Sequence, residues 1–392
     1  CRQDNYTDCF KFHANLHQCD HNWCHNQGNC IQDDSMCPTY SVCICEQCAY
    51  GSYCEFSTYG YSLSLDGIIG SHLSFNISKF SQYSQIAQIA IILIFLTIFL
   101  GIILNLLPIG TFIQKETHEV GCGFYLLFSS IFGLLTQIIL ILKIILLLFD
   151  EQNDLSCSIL EFFLKWCPIT CEWLNSCVAI ERTIAVKLKA KYSRSKSKSI
   201  CKWIICLVII IVGLFCLLDF VFRRIIYNQI DQRYWCVLKL NQEQPGLLAI
   251  YSILNISSFL IPLLINVSSG IIIIFGTLES KQKTNRNSEN NNNNQKKRRR
   301  KQMNFKLIKE QFIKHKQILI APIILGFLSL PRIILTFIFV CTKLDENAIP
   351  SLLFYLMGFL PSMSIIFAFI WPSEIYRKAF MKFLKLFFCI QT

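Results

Sequence analysis

The chain has 392 residues, of which 53% are apolar and only 16% are charged, and its formal net charge is +12. Soluble domains are typically about 45–50% apolar and about 25% charged. Because the apolar excess is concentrated in long runs, the composition excludes an ordinary soluble enzyme, and no catalytic constellation is recognisable along the chain.

Cysteine is concentrated at the N-terminus, where ten of the 21 cysteines fall within the first 54 residues. This density, in a segment with almost no aliphatic core, indicates an oxidised extracellular module held by disulfides. The chain begins at Cys1 without Met, so either a leader has been removed or the chain is a fragment. Residues 1–18 are interpreted as an N-terminal segment, a candidate remnant of a preceding module. The repeat of His13, His17, His21 and His25 has ligand types that zinc uses, but thiols outside the cell are expected to be oxidised, so we predict no metal and no cofactor.

Residues 19–54 contain eight cysteines, and the spacing of six of them resembles that of an EGF-like domain, a small two-stranded fold stapled by disulfides. The tight gaps of five, one and eight residues match together. The resemblance implies the pairs Cys19–Cys30, Cys24–Cys43 and Cys45–Cys54, because connectivity does not follow from spacing alone. Residues 55–85 are interpreted as an extracellular linker.

Seven apolar runs are long enough to cross a bilayer, which requires about 20 apolar residues. The third run contains three charged residues in its interior and is assigned on its length and context. The seven predicted spans are 86–113, 122–149, 157–181, 201–222, 247–276, 318–341 and 349–371.

The distribution of basic residues predicts the orientation of these spans. With the N-terminus outside, 26 of the 37 Lys and Arg residues fall in cytoplasmic segments, as the positive-inside rule requires. We therefore expect a multi-pass protein of the plasma membrane with an extracellular N-terminus, glycosylated at the sequons of Asn5 and Asn76. The basic run 296–301 lies in a polar loop, about 279–317, and is interpreted as a cytoplasmic segment that touches anionic lipid rather than nucleic acid.

Specific residues in the third span identify a family resemblance. Cys157 opens this span, Glu181-Arg182-Thr183 closes it, and Cys236 lies in the following outer loop. This pattern resembles the rhodopsin-like (class A) G-protein-coupled receptors, and in particular orphan invertebrate receptors with an EGF-like extracellular module. The resemblance implies an all-α membrane protein, with a seven-transmembrane helix bundle over residues 86–371 and a Cys157–Cys236 disulfide. It also implies that Glu181, Arg182 and Thr183 couple to a heterotrimeric G protein, with Glu310 as a further partner of Arg182 in the resting state.

Several family motifs are absent from this sequence. Ser329 stands where the family has a Trp before the sixth-helix proline, and the seventh span has no Asn-Pro-x-x-Tyr. Residues 372–376 resemble that motif only loosely, because they contain one residue too many. These departures keep open an alternative function, a seven-helix adhesion or scaffolding protein that acts through its EGF-like module without a G protein.

Four charged residues in the outer half of the bundle are the candidate ligand site, because charges are costly in hydrocarbon and should face the interior or water. They are Lys143, Glu161, Lys165 and Arg332. Glu161 and Lys165 are four residues apart and can pair on one helix face. Two interpretations remain open: an internal salt-bridge network that orders the bundle, or a site for an extracellular peptide or protein ligand.

The C-terminal segment, residues 372–392, has apolar positions at helical spacing with basic residues between them. This pattern predicts an amphipathic helix on the inner leaflet of the membrane. Cys389, just beyond it, is a candidate palmitoylation site.

Overall fold

The structure is a computed structural model of the chain. It describes residues 17–18, 24, 28–32, 41–45, 49–50, 54, 56–57, 64–69, 83–119, 121–149, 153–188, 192–228, 233–238, 245–288, 316–338 and 348–387. Five residues with predicted functions, Asn5, Cys19, Asn76, Glu310 and Cys389, lie outside these ranges.

The N-terminal part contains two small antiparallel sheets. The first joins β1 (His17–Gln18), β2 (Gly28–Gln32) and β3 (Ser41–Cys45), and the second joins β4 (Ala49–Tyr50) and β5 (Phe56–Ser57). Disulfides link Cys24 to Cys43 and Cys45 to Cys54, with Cα atoms 5.6 Å and 5.3 Å apart, and Cys30 is also disulfide-bonded. So small a sheet buries little apolar area, and disulfides supply the stability that a core would otherwise give.

Helices occupy the rest of the described chain. They are α1 (Leu65–Ile69), α2 (Gln85–Phe112), α3 (Gly121–Phe149), α4 (Asp154–Leu188), α5 (Arg194–Phe222), α6 (Pro245–Ser288), α7 (Lys316–Ile338), α8 (Ala348–Met357), α9 (Leu360–Met363) and α10 (Glu374–Phe387). Among the described residues, four helical stretches are long and apolar enough to cross a membrane: Gln85–Phe112, Gly121–Phe149, Arg194–Phe222 and Ala249–Gly276.

The third predicted span, 157–181, lies within α4, the longest helix after α6. Helix α4 packs against α3, α5 and α6 and therefore forms the centre of the bundle. Three of its charged residues, Glu161, Glu172 and Glu181, are buried inside this arrangement, where other side chains of the protein can solvate them. A central helix can thus carry charges that a lipid-facing helix of the same length cannot.

The seventh predicted span, 349–371, is an interrupted helix rather than a continuous one. Helices α8 and α9 are followed by a π-helical turn, Ile366–Ile370, in which the Trp371 amide donates to the Ile366 carbonyl at 2.8 Å. Pro361 has no amide hydrogen to continue the α-helical ladder, and the Gly358 amide is shared between the carbonyls of Phe354 and Tyr355. A π-turn inserts one extra residue into a helix and rotates the residues after it about the helix axis.

Small residues allow α2 and α3 to approach closely. A Cβ atom on Gly133 would lie 2.2 Å from Oδ1 of Asn105, and one on Gly101 would lie 2.5 Å from the side chain of Gln137. Asn105 donates its side-chain amide to the Gly101 carbonyl at 2.8 Å. Close contact through small residues is a common way for membrane helices to associate.

The two ends of the bundle, called outer and inner after the orientation that the sequence predicts, are closed by different elements. At the outer end, β6 (Arg223–Asn228) and β7 (Arg233–Leu238) form an antiparallel hairpin, and a disulfide joins Cys236 of β7 to Cys157 of α4. At the inner end, α10 packs on α2, and the Gln114 side chain donates to the Ala379 carbonyl at 2.8 Å.

Candidate functional sites

A cluster of six charged side chains lies at the outer end of the bundle. Its members come from α1, α3, α4, α5 and the start of β6, and five of the six are no more than 5% exposed. We call this set the outer charge cluster: Asp66, Lys143, Glu161, Lys165, Asp219 and Arg223.

One half of the outer charge cluster is centred on Lys143. Its Nζ atom lies 2.5 Å from Oδ2 of Asp66 and 3.1 Å from Oε1 of Glu161. The other carboxylate oxygen of Glu161 is 3.4 Å from the Arg223 guanidinium. Lys143 is fully buried, so these two carboxylates replace the water that it lost on folding.

The other half of the cluster is centred on Asp219. Lys165 donates to one of its oxygens, and the Tyr251 hydroxyl donates to the other at 2.9 Å. The Lys165 ammonium also lies 4.7 Å from the centroid of the Tyr251 ring, in cation–π geometry. Arg223 joins the two halves, because its guanidinium is 3.8 Å from Asp219 as well as near Glu161.

The helical spacing of Glu161 and Lys165 does not decide their partners. In the described part of the chain, the expected ion pair between them is not formed: Lys165 pairs with Asp219, and Glu161 pairs with Lys143 and Arg223. Oppositely charged groups on neighbouring elements lie within ion-pair distance of both residues, and these pairs form instead of the pair within α4.

The cluster is electrically balanced, with three cations and three carboxylates. Sequence reasoning missed three of them, Asp66, Asp219 and Arg223. Asp219 had a readable signal, since it is an acidic residue inside the fourth apolar run with Arg223 four positions later. The fourth predicted ligand residue, Arg332, is in α7, and its side chain lies outside the described residues.

Two groups in the described residues bring three potential metal ligands together. One is Cys24, Cys30 and Cys43, and the other is Asp66, Glu161 and Cys236. All four cysteines are in disulfides and have no thiolate to offer, and both carboxylates already face cations. The donor sets therefore do not fit a metal ion.

The inner end of α4 holds Glu181, whose carboxylate is bound by the next loop and helix. The Tyr192 hydroxyl donates to it at 2.7 Å, and the Ser197 hydroxyl donates to the same oxygen. Ser197 in turn accepts the amide of Gly121 at 3.1 Å. Burial and the nearby Glu181 charge raise the pKa of the Tyr192 hydroxyl, so it remains a donor at any physiological pH.

Arg182 lies near Cys122, as Glu181 does, and in addition contacts the π-helical turn. Its guanidinium carbon lies 5.3 Å from the centroid of Phe369, in the π-helical turn. Tyr376 of α10 is close by: burial raises the pKa of its hydroxyl, while Arg182 acts in the opposite direction. Thr183 bonds the Ala179 carbonyl of its own helix at 2.8 Å.

A comparison with protein families matches residues 105–367 to the 7 transmembrane receptor (rhodopsin family). The chain belongs to the rhodopsin family of seven-transmembrane receptors. The match runs from Asn105 in α2 to the π-helical turn, so it contains most residues of the two candidate sites, whereas Asp66, Phe369 and Tyr376 lie outside it. Proteins of this family are multi-pass membrane receptors and are generally not enzymes. A search of curated proteins finds no significant match to the chain.

Proposed function

We propose that this rhodopsin-family protein is a plasma-membrane receptor that binds an extracellular peptide or protein and activates a heterotrimeric G protein. In this proposal the N-terminus is extracellular, and residues 19–54 form an EGF-like module in front of the bundle. The family membership supports the receptor role. The arrangement at the inner end of α4 supports the coupling to a G protein.

The observation that carries the proposal is the separation of Glu181 from Arg182. Both side chains lie near Cys122 of α3, but the hydrogen bonds to Glu181 come from Tyr192 and Ser197, whereas Arg182 reaches the ring of Phe369. A cation–π contact is worth about 0.5–2 kcal/mol. That overlaps the range of about 1–3 kcal/mol over which one site is coupled to another in allosteric proteins. In this proposal, a movement of Phe369 and of Tyr376, which also interacts with Arg182, releases Arg182 to a G-protein helix.

The π-helical turn provides an element that can shift between two arrangements. It carries Phe369 and is followed directly by α10, whose Tyr376 lies edge-on to Phe112 at 5.1 Å between ring centroids. A change in the turn would move Phe369 away from Arg182 and shift α10 along α2. In this proposal, ligand binding at the outer end biases that equilibrium.

The test is to replace Arg182 and to measure G-protein activation at equal surface expression. Arg182→Ala removes the charge, and we expect G-protein activation to fall at least tenfold, while Arg182→Lys should retain part of it. Lys187→Ala is the matched control, because Lys187 is an exposed cation one to two turns further along the same helix. Unchanged activation by Arg182→Ala, with the control also unchanged, would contradict the proposal.

A second measurement concerns the module at the N-terminus. We propose that it contributes to ligand capture, with glycosylation at Asn5 and Asn76 and palmitoylation of Cys389 as modifications of the full chain. Replacing the Asn of either sequon by Gln should remove one glycan and increase the mobility of the protein on a gel by the corresponding amount. Deletion of residues 1–60 should weaken ligand response; loss of cell adhesion with no second-messenger change under any stimulus would favour the adhesion function instead.

A further inference from the structure

A short segment before the first long helix is inserted into the outer end of the bundle. Residues 64–69 contain helix α1, which packs against β7 of the outer hairpin and against α8. Leu65, Ile68 and Ile69 belong to the main hydrophobic core and are at most 2% exposed. A five-residue helix has no stability of its own in water, so this segment owes its order to the site in which it lies.

Asp66 fixes this segment electrostatically. It is fully buried, and its carboxylate lies 2.5 Å from the Lys143 ammonium. It also lies within 4.8 Å of the Glu161 carboxylate and of Cys236 Sγ, directly at the disulfide that joins the outer hairpin to α4. The contacts that hold the segment therefore include a buried ion pair and three buried aliphatic side chains.

The outer charge cluster is balanced only when Asp66 is present. Without it, the three cations Lys143, Lys165 and Arg223 face two carboxylates, Glu161 and Asp219. An unpaired charge in a buried site is strongly unfavourable. The site left by the segment thus has a defined chemistry, an uncompensated cation beside an apolar surface.

We propose that residues 64–69 are a ligand tethered to the receptor, and that their site recognises a peptide with a carboxylate flanked by aliphatic side chains. The segment Ser-Leu-Asp-Gly-Ile-Ile occupies the site in the resting protein, and an external peptide of the same chemistry displaces it. Displaced from the site, α1 unfolds, so the exchange is an order–disorder switch at the outer end of the bundle. The signalling consequence of this exchange rests on the function proposed above, whereas the binding itself does not.

The first test measures exposure of the segment in the full chain on intact cells. Ser64→Cys is a nearly isosteric reporter at a position that is 4% exposed. A membrane-impermeant maleimide should label it slowly, and at least tenfold faster when Asp66→Asn is added. The chain without Ser64→Cys gives the background labelling.

The charge-swapped pair Asp66→Lys with Lys143→Asp guards against simple misfolding. It keeps one opposite-charge contact at the same place, and the slow labelling of Ser64→Cys should return in it. Equal labelling rates in the parent, the Asp66→Asn variant and the swapped pair would overturn the proposal.

The second test uses a fluorescent synthetic peptide with the sequence of residues 64–69. It should bind the full-length Asp66→Asn variant at least tenfold more tightly than the unaltered chain, whose site is occupied. A peptide with Asn in place of the aspartate should bind at least tenfold more weakly, and Lys143→Met should abolish the preference for the acidic peptide. Equal binding of the acidic and neutral peptides would refute the assigned chemistry.

Neither measurement requires a G protein, which separates the two proposals. If the peptide binds specifically but Arg182→Ala leaves G-protein activation unchanged, the tethered ligand is supported and the proposed coupling is refuted. If the labelling and peptide effects are not observed but activation still depends on Arg182, only the tethered-ligand proposal is refuted.

Discussion

Replacing Asp219 by Asn tests whether the outer charge cluster stabilises the bundle. Asp219 is 1% exposed. It forms an ion pair with Lys165, accepts a hydrogen bond from the Tyr251 hydroxyl and lies at a longer distance from the Arg223 guanidinium. Asp219→Asn keeps the size of the side chain but leaves the cluster with one surplus cation. Removing one partner from a buried ion pair costs about 3–5 kcal/mol, which is roughly two to three and a half powers of ten in the unfolding equilibrium at 1.4 kcal/mol per factor of ten.

The assay is the apparent melting temperature of the purified full chain in detergent, followed by loss of the folded peak in size-exclusion chromatography. Lys382→Met is the matched control, since Lys382 forms an ion pair with Glu116 at 2.6 Å but both side chains are more than half exposed. Pairs of that kind contribute about 0–1 kcal/mol because water screens them. We therefore expect a large decrease in melting temperature for Asp219→Asn and almost none for Lys382→Met.

The double substitution Asp219→Asn with Lys165→Met separates charge balance from packing. It removes a cation together with the carboxylate, so it should recover part of the stability lost in Asp219→Asn. The reasoning fails if Asp219→Asn is as mild as Lys382→Met, or if the double variant is less stable than Asp219→Asn alone.

Two further predictions concern the inner loop between α2 and α3. Gly123→Ala places a Cβ atom 2.1 Å from the rigid backbone oxygen of Thr117, so it should destabilise the fold by about 1–3 kcal/mol or more and sharply lower surface expression. Gly246→Ala is the control and should be neutral, because its Cβ atom meets nothing within 4 Å. Normal expression of Gly123→Ala would contradict the prediction and show that the loop adapts. The pKa of His118 is lowered below 6.5, chiefly by burial against neighbours that include the stacked ring of Phe124. Protonation of His118 is therefore less favourable in the folded than in the unfolded protein. The contribution of neutral His118 to stability is fully present above pH 6.5, and the melting temperature should decrease as the pH falls below that value. His118→Phe should show a smaller decrease between pH 7.5 and 5.5, and an unchanged pH dependence would contradict this assignment.

The sequence alone was sufficient for the helical organisation of the chain. In the described residues, each predicted apolar run lies largely in helix, although the ends differ: α4 and α5 begin before the predicted spans, and α6 continues to Ser288. Apolar length and composition are properties of one contiguous segment, so a single sequence contains them. The interruption of the seventh run was not predicted: Pro361 and Gly358 are helix-breaking residues, but the run around them is long and apolar enough to be assigned as one span.

The sequence also marked Lys143, Glu161 and Lys165 as unusual, because charges inside apolar runs require partners. It could not say which partners. Helical spacing favoured Glu161 with Lys165, whereas the structure pairs Lys143 with Asp66, 77 positions away along the chain. Periodicity describes only which residues share a face of one helix. The energies of buried charges depend on distances between helices, and these distances exist only once the chain has packed.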